Sequence, residues 1–320
     1  MLAKEIAQSV KEKYEAAVKS GSLVFTETTQ EKVKDSKSGI EYLVSYAPSL
    51  KGKPTKEGNG ASDPFENPEA ELLISEDVNG DDQFKLLLNK YPIVENHTIL
   101  ATKTFQKQNL ALSPKELFTS YKYLSKLDDS TNDEVKYMMF YNCGDLSGSS
   151  VDHKHLQFIP LPKNFNTIQD NLVSGKTHFL PTVREEPLQH EKTSFAHFAI
   201  PLPDNSDDVD EDLLAMAYFS LLQRALTFFQ DWLNERPEFT GKTSYNVMMT
   251  KKWLSVVPRS SPVSKTLGLN LNATAYVGLL LIKDEETLNK VKENASLIDE
   301  ALLECGFPNT AGEKTNEYNY

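Results

Sequence analysis

Cysteine is almost missing: Cys143 and Cys305 are the only two in 320 residues. Two cysteines cannot make a disulfide framework, and without a CxxC pair a cysteine-based zinc site is excluded too. Long apolar runs are also missing. No stretch approaches the roughly 18–20 residues needed to span a bilayer, and the N-terminal segment is charged throughout, unlike the apolar core of a secretory leader. Positive charge is in deficit, with 34 Lys and Arg against 46 Asp and Glu and a net charge of −12 at pH 7. That balance argues against a nucleic-acid binder, and any phosphate site must gather its cations locally. The expectation is a cytoplasmic protein, with the nucleus as a second compartment, that has no nucleic-acid or membrane partner and acts as a monomer.

What is present suffices for a large core, since 39% of residues are hydrophobic and 10% aromatic. Ile6, Val10, Tyr14 and Val18 recur every fourth residue, the stripe of an amphipathic helix over 3–19. Strands are predicted at 23–26, 40–46, 71–75, 84–89, 97–103, 136–141, 153–160 and 194–200, with a hairpin at 245–250 and 253–258 and a last strand at 274–282. Ser113-Pro114-Lys115-Glu116 carries a capping serine, a proline at the first helical position and a glutamate to close a capping box. Further helices are predicted over 211–235, opening on acids that suit the helix dipole, and over 284–305, ended by Gly306 and Pro308. Residues 48–70, rich in proline and polar residues, read as a mobile loop, and the tail from about 309 to 320 as polar and mobile. Short antiparallel strands with helices outside them, and no clean linker or repeat, predict one α+β domain over 1–320.

One run stands out. His153-Lys154-His155-Leu156-Gln157 follows a Gly/Ser-rich loop that starts at Asn142 and includes Gly148, Ser149, Ser150 and Val151. With a side-chain period of two, His153, His155 and Gln157 share one strand face. A neutral imidazole can attack phosphorus and split one displacement into two. It then needs its other ring nitrogen held, and donors around the phosphate oxygens. Loop N–H groups and the Gln157 carboxamide are of the right type for that. A merely solvated polar face and a metal-binding histidine pair remain open for an H-x-H pattern, although His97, His178, His190 and His197 show no recognisable ligand spacing.

The string H-K-H-L-Q after G-S-S resembles the His-x-His-x-Gln motif of the histidine-triad superfamily, in its transferase branch. The stretches Lys85-Leu86-Leu87-Leu88-Asn89-Lys90-Tyr91-Pro92, Trp253–Arg259 and Asn272–Lys283 extend the resemblance along nearly the whole chain, to the fungal diadenosine tetraphosphate phosphorylases, or ATP adenylyltransferases. The resemblance implies a histidine-triad-like, galactose-1-phosphate uridylyltransferase-like fold with a mostly antiparallel sheet and flanking helices. It also implies cleavage of diadenosine tetraphosphate by phosphate to ADP and ATP through an adenylyl-histidine intermediate. His155 would be the nucleophile, His153 would position it or the phosphates, and Gln157 would hold the transferred phosphate. Substrate contacts would come from Asn142, Gly148, Ser149, Ser150, Val151, Lys53, Lys85, Leu86, Lys90, Asn272, Ala273, Thr274, Leu279 and Lys283. Substrates and partners would be dinucleoside polyphosphates, ATP, ADP and phosphate. No tightly bound cofactor and no protein-bound metal are expected, with a divalent cation such as magnesium accompanying the polyphosphate, and sulfate is a candidate second acceptor.

Glutamine in place of a third histidine fits this chemistry. The leaving group is a polyphosphate, already a stable anion, so a strong general acid is less necessary. Gln157 cannot activate water, which favours phosphate as acceptor. A hexose-1-phosphate uridylyltransferase, a non-catalytic nucleotide-binding regulator and a metal hydrolase stand as the competing readings.

Overall fold

The computed structural model describes residues 3–51, 63–78, 80, 82–130, 134–182, 185–235 and 242–311. Residues 52–62 of the loop predicted to be mobile, Lys53 among them, and residues 312–320 of the tail lie outside the described residues. In chain order the elements are α1 (Ala3–Ser20), β1 (Thr29–Lys34), β2 (Glu41–Tyr46), β3 (Leu73–Ser75), β4 (Phe84–Leu88), β5 (Thr98–Thr102), α2 (Pro114–Ser130), β6 (Tyr137–Cys143), β7 (His155–Pro160) and α3 (Ile168–Val173). There follow β8 (Phe198–Pro201), α4 (Glu211–Glu235), β9 (Ser244–Met249), β10 (Trp253–Arg259), β11 (Leu279–Ile282), α5 (Glu285–Glu293) and α6 (Ser296–Glu304).

Eight strands form one antiparallel sheet in the order β3-β4-β5-β7-β6-β9-β10-β8. A second sheet of three, β1-β2-β11, contains a parallel pair, β2 with β11. The fold is therefore α+β with a mostly antiparallel sheet and flanking helices. Central β6 reads Tyr-Met-Met-Phe-Tyr because both its faces are buried. One face of the large sheet, including Leu86, Leu100, Leu156 and Val247, packs against α2 and α4. The other, including Met138, Phe140, Met248 and Val257, packs against β2, β11, α5 and α6.

The capping box at α2 forms as its residues dictate. Ser113 N–H donates to Glu116 Oε2 at 2.7 Å, and Glu116 N–H donates to Ser113 Oγ at 3.2 Å. Elsewhere local pattern and structure part. Residues 23–26 join no sheet, while β1, with Val33 as its sole buried residue, is an edge strand whose polar sequence hides it. The stripe of α1 closes on Ala17, and Val18 is exposed, because a strict spacing of four outruns the 3.6-residue turn. Residues 161–190 contain the capped helix α3. The strand predicted over 274–282 is a 3₁₀ turn, Ala273–Val277, followed by β11, since the Asn272 side chain accepts from Thr274 N–H and Gly278 takes a left-handed φ of 98°. The predicted helix over 284–305 is two, separated where Asn294 adopts extended backbone.

Candidate active site

β7 is held by pairing with β5 on one side and β6 on the other. The register puts Lys85, Ala101 and His155 in one cross-strand row, and Leu87, Ile99, Gln157, Phe140 and Met248 in a second row two residues along, so His155 and Gln157 share a face. His153 lies just before β7 in an isolated bridge to Lys107. A simply solvated polar face is ruled out, because His153 is 2% exposed and His155 4%.

His155 Nδ1–H donates to the His153 carbonyl at 2.8 Å, which puts the lone pair on Nε2. Nε2 has no hydrogen-bond partner among the described residues. Burial lowers the His155 pKa to about 4, the bond to the His153 carbonyl opposing and the His153 ring adding to the shift. At neutral pH the ring is uncharged, the form a nucleophile needs. Phe65 lies against it with ring centroids 4.9 Å apart.

The His153 ring does something different. Nδ1 meets Asp63 Oδ2 at 2.5 Å, and Nε2 donates to the Thr102 carbonyl at 2.8 Å. Both nitrogens are engaged by oxygens, so neither is free to join His155 in a metal site. It fixes the backbone whose carbonyl orients His155. Lys154 points to the opposite face, where Nζ bonds Glu116 Oε2 at 2.7 Å and the Ala111 carbonyl at 2.8 Å. The α2 capping glutamate thus also anchors the motif strand.

Gln108, which sequence reading passed over, completes the ladder where β6 and β7 diverge. His155 N–H donates to its Oε1 at 2.8 Å, and its Nε2 donates to the carbonyls of Asn142 (2.9 Å) and His155 (3.2 Å). Asn142 Oδ1 accepts from Asn246 Nδ2 at 2.8 Å and Ala273 N–H at 3.1 Å. Behind them Arg259, fully buried, donates to Asn246 Oδ1 and to the carbonyls of Ser147, Ser261, Leu271 and Cys305. These bonds weld the Gly/Ser loop to residues 271–273. Gly148 is demanded there: its φ is +85°, and a Cβ would lie 2.5 Å from the Leu271 carbonyl. Among the described residues no acceptor takes the N–H groups of Gly148, Ser149, Ser150 or Val151, which leaves a row of donors for an anion.

Beside this machinery opens a cleft of about 880 Å³, walled by Gln157, His97, Asn272, Thr274, Leu279 and Lys283 among others. Other sequence-predicted contacts are placed apart from it. Leu86 is 1% exposed in the core against the helices, because it alternates with Lys85. Lys85 is buried and spends its donors on the Phe65 (2.6 Å) and Glu66 (3.3 Å) carbonyls. Lys90 pairs with Glu69. Ala273 contributes its backbone N–H through Asn142 and is fully buried. Asp63, Phe65, Gln108, Asn246 and Arg259 join the site from distant parts of the chain with no motif to announce them. No group of three His, Cys, Asp or Glu suited to a metal occurs among the described residues.

Comparison with known proteins meets this geometry. Residues 1–172 match the model of the Ap4A phosphorylase N-terminal domain, and residues 191–308 that of the ATP adenylyltransferase C-terminal domain. The chain belongs to the Ap4A phosphorylase family. It is 52% identical to diadenosine 5',5'''-P1,P4-tetraphosphate phosphorylase 2 of Saccharomyces cerevisiae, over the full length of both, and 51% identical to Protein APA1 of the same yeast, covering 99% of this chain and 98% of the relative. The crystal structure of yeast Ap4A phosphorylase Apa2 superposes with a TM-score of 0.90 at 51% identity and complete coverage of both chains. Its complex with Ap4A gives 0.87 at 48% identity, covering 97% of this chain and all of that one. Within this family fold the two matched segments meet at the β6–β9 ladder of a single sheet.

Proposed function

We infer that the protein cleaves diadenosine tetraphosphate with phosphate to give ADP and ATP, and runs the reverse reaction. The relatives named for this activity match the chain end to end, and the carrying structural observation is His155. It is a neutral imidazole with Nδ1 tied to a carbonyl and Nε2 open, next to a loop with unclaimed N–H donors. Nε2 attacks the α-phosphorus of one adenylyl group, the P–O bond to the remaining chain breaks, and ATP leaves with that electron pair. A phosphate oxygen then attacks the same phosphorus, the P–N bond breaks, and ADP departs as His155 recovers its lone pair. Loop N–H groups and the Gln157 amide stabilise the charge on the non-bridging oxygens. Lys283, Asn272 and Thr274 line the cleft that would take the rest of the nucleotide. Lys53 would add to the cations.

A divalent cation would enter with the polyphosphate rather than reside in the protein, and activity of metal-stripped protein with and without magnesium tests that. Sulfate as acceptor, a monomeric state and a cytoplasmic location complete the proposal. The deciding experiment is incubation with radiolabelled diadenosine tetraphosphate in the absence of phosphate. An acid-labile, alkali-stable adenylyl adduct on His155 is expected. No adduct in the wild type, or an unchanged one in His155→Ala, overturns the mechanism. Replacing Gln157 by His should raise hydrolysis relative to phosphorolysis, because it supplies the base that glutamine withholds from water.

A further inference from the structure

A carboxamide can help a phosphate only if its NH₂ end faces it, and nothing in Gln157 itself chooses between the two ends. The structure holds a chain of hydrogen bonds whose direction is set by a backbone group. Tyr91 N–H, a donor by construction, meets Asn89 Oδ1 at 3.0 Å. That leaves Asn89 Nδ2 to donate to His97 Nδ1 at 3.1 Å. With Nδ1 accepting, the His97 proton sits on Nε2, which lies 3.0 Å from Gln157 Oε1. The oxygen of Gln157 is thereby claimed, its NH₂ donates to no described residue, and all three side chains line the same cleft. The ring stays neutral at working pH, since burial holds its pKa at about 4, the Gln157 bond opposing and the His155 ring reinforcing that shift.

We propose that Asn89 and His97 act as a positioning relay that fixes the polarity of Gln157, so that its amide presents N–H and never oxygen to the transferred phosphate. The inference rests on the reading of Gln157 as the phosphate's holder. His97 touches no reacting atom. It acts through Gln157, and without it the amide is free to turn its oxygen toward an anion, a repulsive arrangement. The relay also explains why a histidine sits on β4's neighbouring loop without metal-ligand spacing, for it is a fixed-tautomer donor.

The test measures kcat and KM for phosphorolysis of diadenosine tetraphosphate in the full chain. Gln157→Ala is expected to lower kcat by on the order of 10²-fold, as loss of a charge-stabilising donor does. His97→Leu, which keeps apolar bulk but removes the donor, should lower kcat by about 10–100-fold with KM changed less than about threefold. His97→Gln, which retains an N–H near the same place, should recover most of the loss. In the Gln157→Ala background His97→Leu should cost less than about twofold. Should His97→Leu fail to fold, Asn89→Leu leaves the ring in place but frees its tautomer, and should lower kcat about threefold to tenfold. An undiminished His97→Leu effect in the Gln157→Ala background, an effect confined to KM, or no rescue by Gln in a variant of unchanged melting temperature overturns the relay. A normal kcat in Gln157→Ala instead overturns the role of Gln157 itself.

Discussion

Two histidines in this molecule are nearly the same object put to different ends. His155 opens β7 and His197 immediately precedes β8; each donates its Nδ1–H to the carbonyl two residues back, at 2.8 Å and 3.0 Å. Each has a phenylalanine ring tilted against it, Phe65 at 4.9 Å and Phe195 at 5.2 Å. Burial holds the pKa of both at about 4. The difference is at Nε2. In His197 that nitrogen accepts the backbone N–H of His190 at 2.7 Å, whereas in His155 it has no described partner. Burial, tautomer and lowered pKa therefore do not distinguish the two rings. The free lone pair on His155 Nε2 does, and His197 shows the same imidazole used as a structural acceptor.

The comparison is broken or sharpened most directly by removing each ring. His155→Ala should lower adenylyl transfer on the order of 10⁴-fold or more, as loss of a covalent nucleophile does. His197→Ala should leave kcat within about threefold while costing about 2–4 kcal/mol of stability, since it opens a cavity and orphans the His190 N–H. Steady-state kinetics and denaturant unfolding on the two proteins separate these outcomes, and a dead but fully stable His197→Ala protein would end the comparison.

Next in size is the anchor that only β7 possesses. Lys154→Met leaves Glu116 buried and without its cation, and should cost about 3–5 kcal/mol. Pairing it with Glu116→Gln should return much of that loss in thermal or denaturant unfolding.

The two aromatic neighbours should diverge as well. Phe195 is fully buried in the core between the large sheet and β2, β11, α5 and α6, and Phe195→Ala should cost about 3–5 kcal/mol. Phe65 belongs to a small cluster with Leu87, Ile99 and Ala101, so Phe65→Ala should cost less, about 2 kcal/mol, and should register in the kinetics of transfer. Equal unfolding midpoints would contradict this.

The pH response separates the two rings in another way. His97, His155 and His197 have folded-state pKa values near 4 against an ordinary value of 6.5, so below about pH 6.5 the unfolded chain binds protons that the folded chain refuses. The stability each contributes is whole above that pH and is lost as pH falls toward 4, by up to about 3 kcal/mol per ring. His197→Phe should remove one share of that slope while leaving the pH profile of kcat/KM unaltered, flat down to about pH 5, for His155 alone must be neutral to attack. Stability and activity titrations of the variant check both halves.

How much of this was legible beforehand follows from where the information lies. The alternation His, Lys, His, Leu, Gln announced a strand and the face that His155 and Gln157 share, and Ser-Pro-Lys-Glu announced a helix start, since each depends on neighbours in sequence. The support of the site does not. Gln108 substitutes for a missing rung between Asn142 and His155, Asp63 reaches His153 across 90 residues, and Arg259 ties carbonyls from four places. Such polar residues carry no periodic signature and are recognisable only once topology brings their acceptors together. Lys85, a cation expected at the substrate, is buried and bonded to two carbonyls, a setting its sequence neighbours do not announce. Ala-Tyr-Val at 275–277 reads as strand by composition, yet the Asn272 cap and Gly278 override it.

The ladder between β6 and β9 has a consequence for how the protein is made. Cys143 ends β6 and Ser244 begins β9, so about a hundred residues, roughly 5–20 s of synthesis, separate two strands that must lie side by side. Throughout that interval the apolar edge of β6 has no permanent neighbour, the situation in which unpaired strands recruit the wrong partner. Asn142 meets Asn246 only when that wait is over. The nascent chain thus carries His155 long before it can brace the strand that holds it, and dependence on early folding assistance should be concentrated in that one interval.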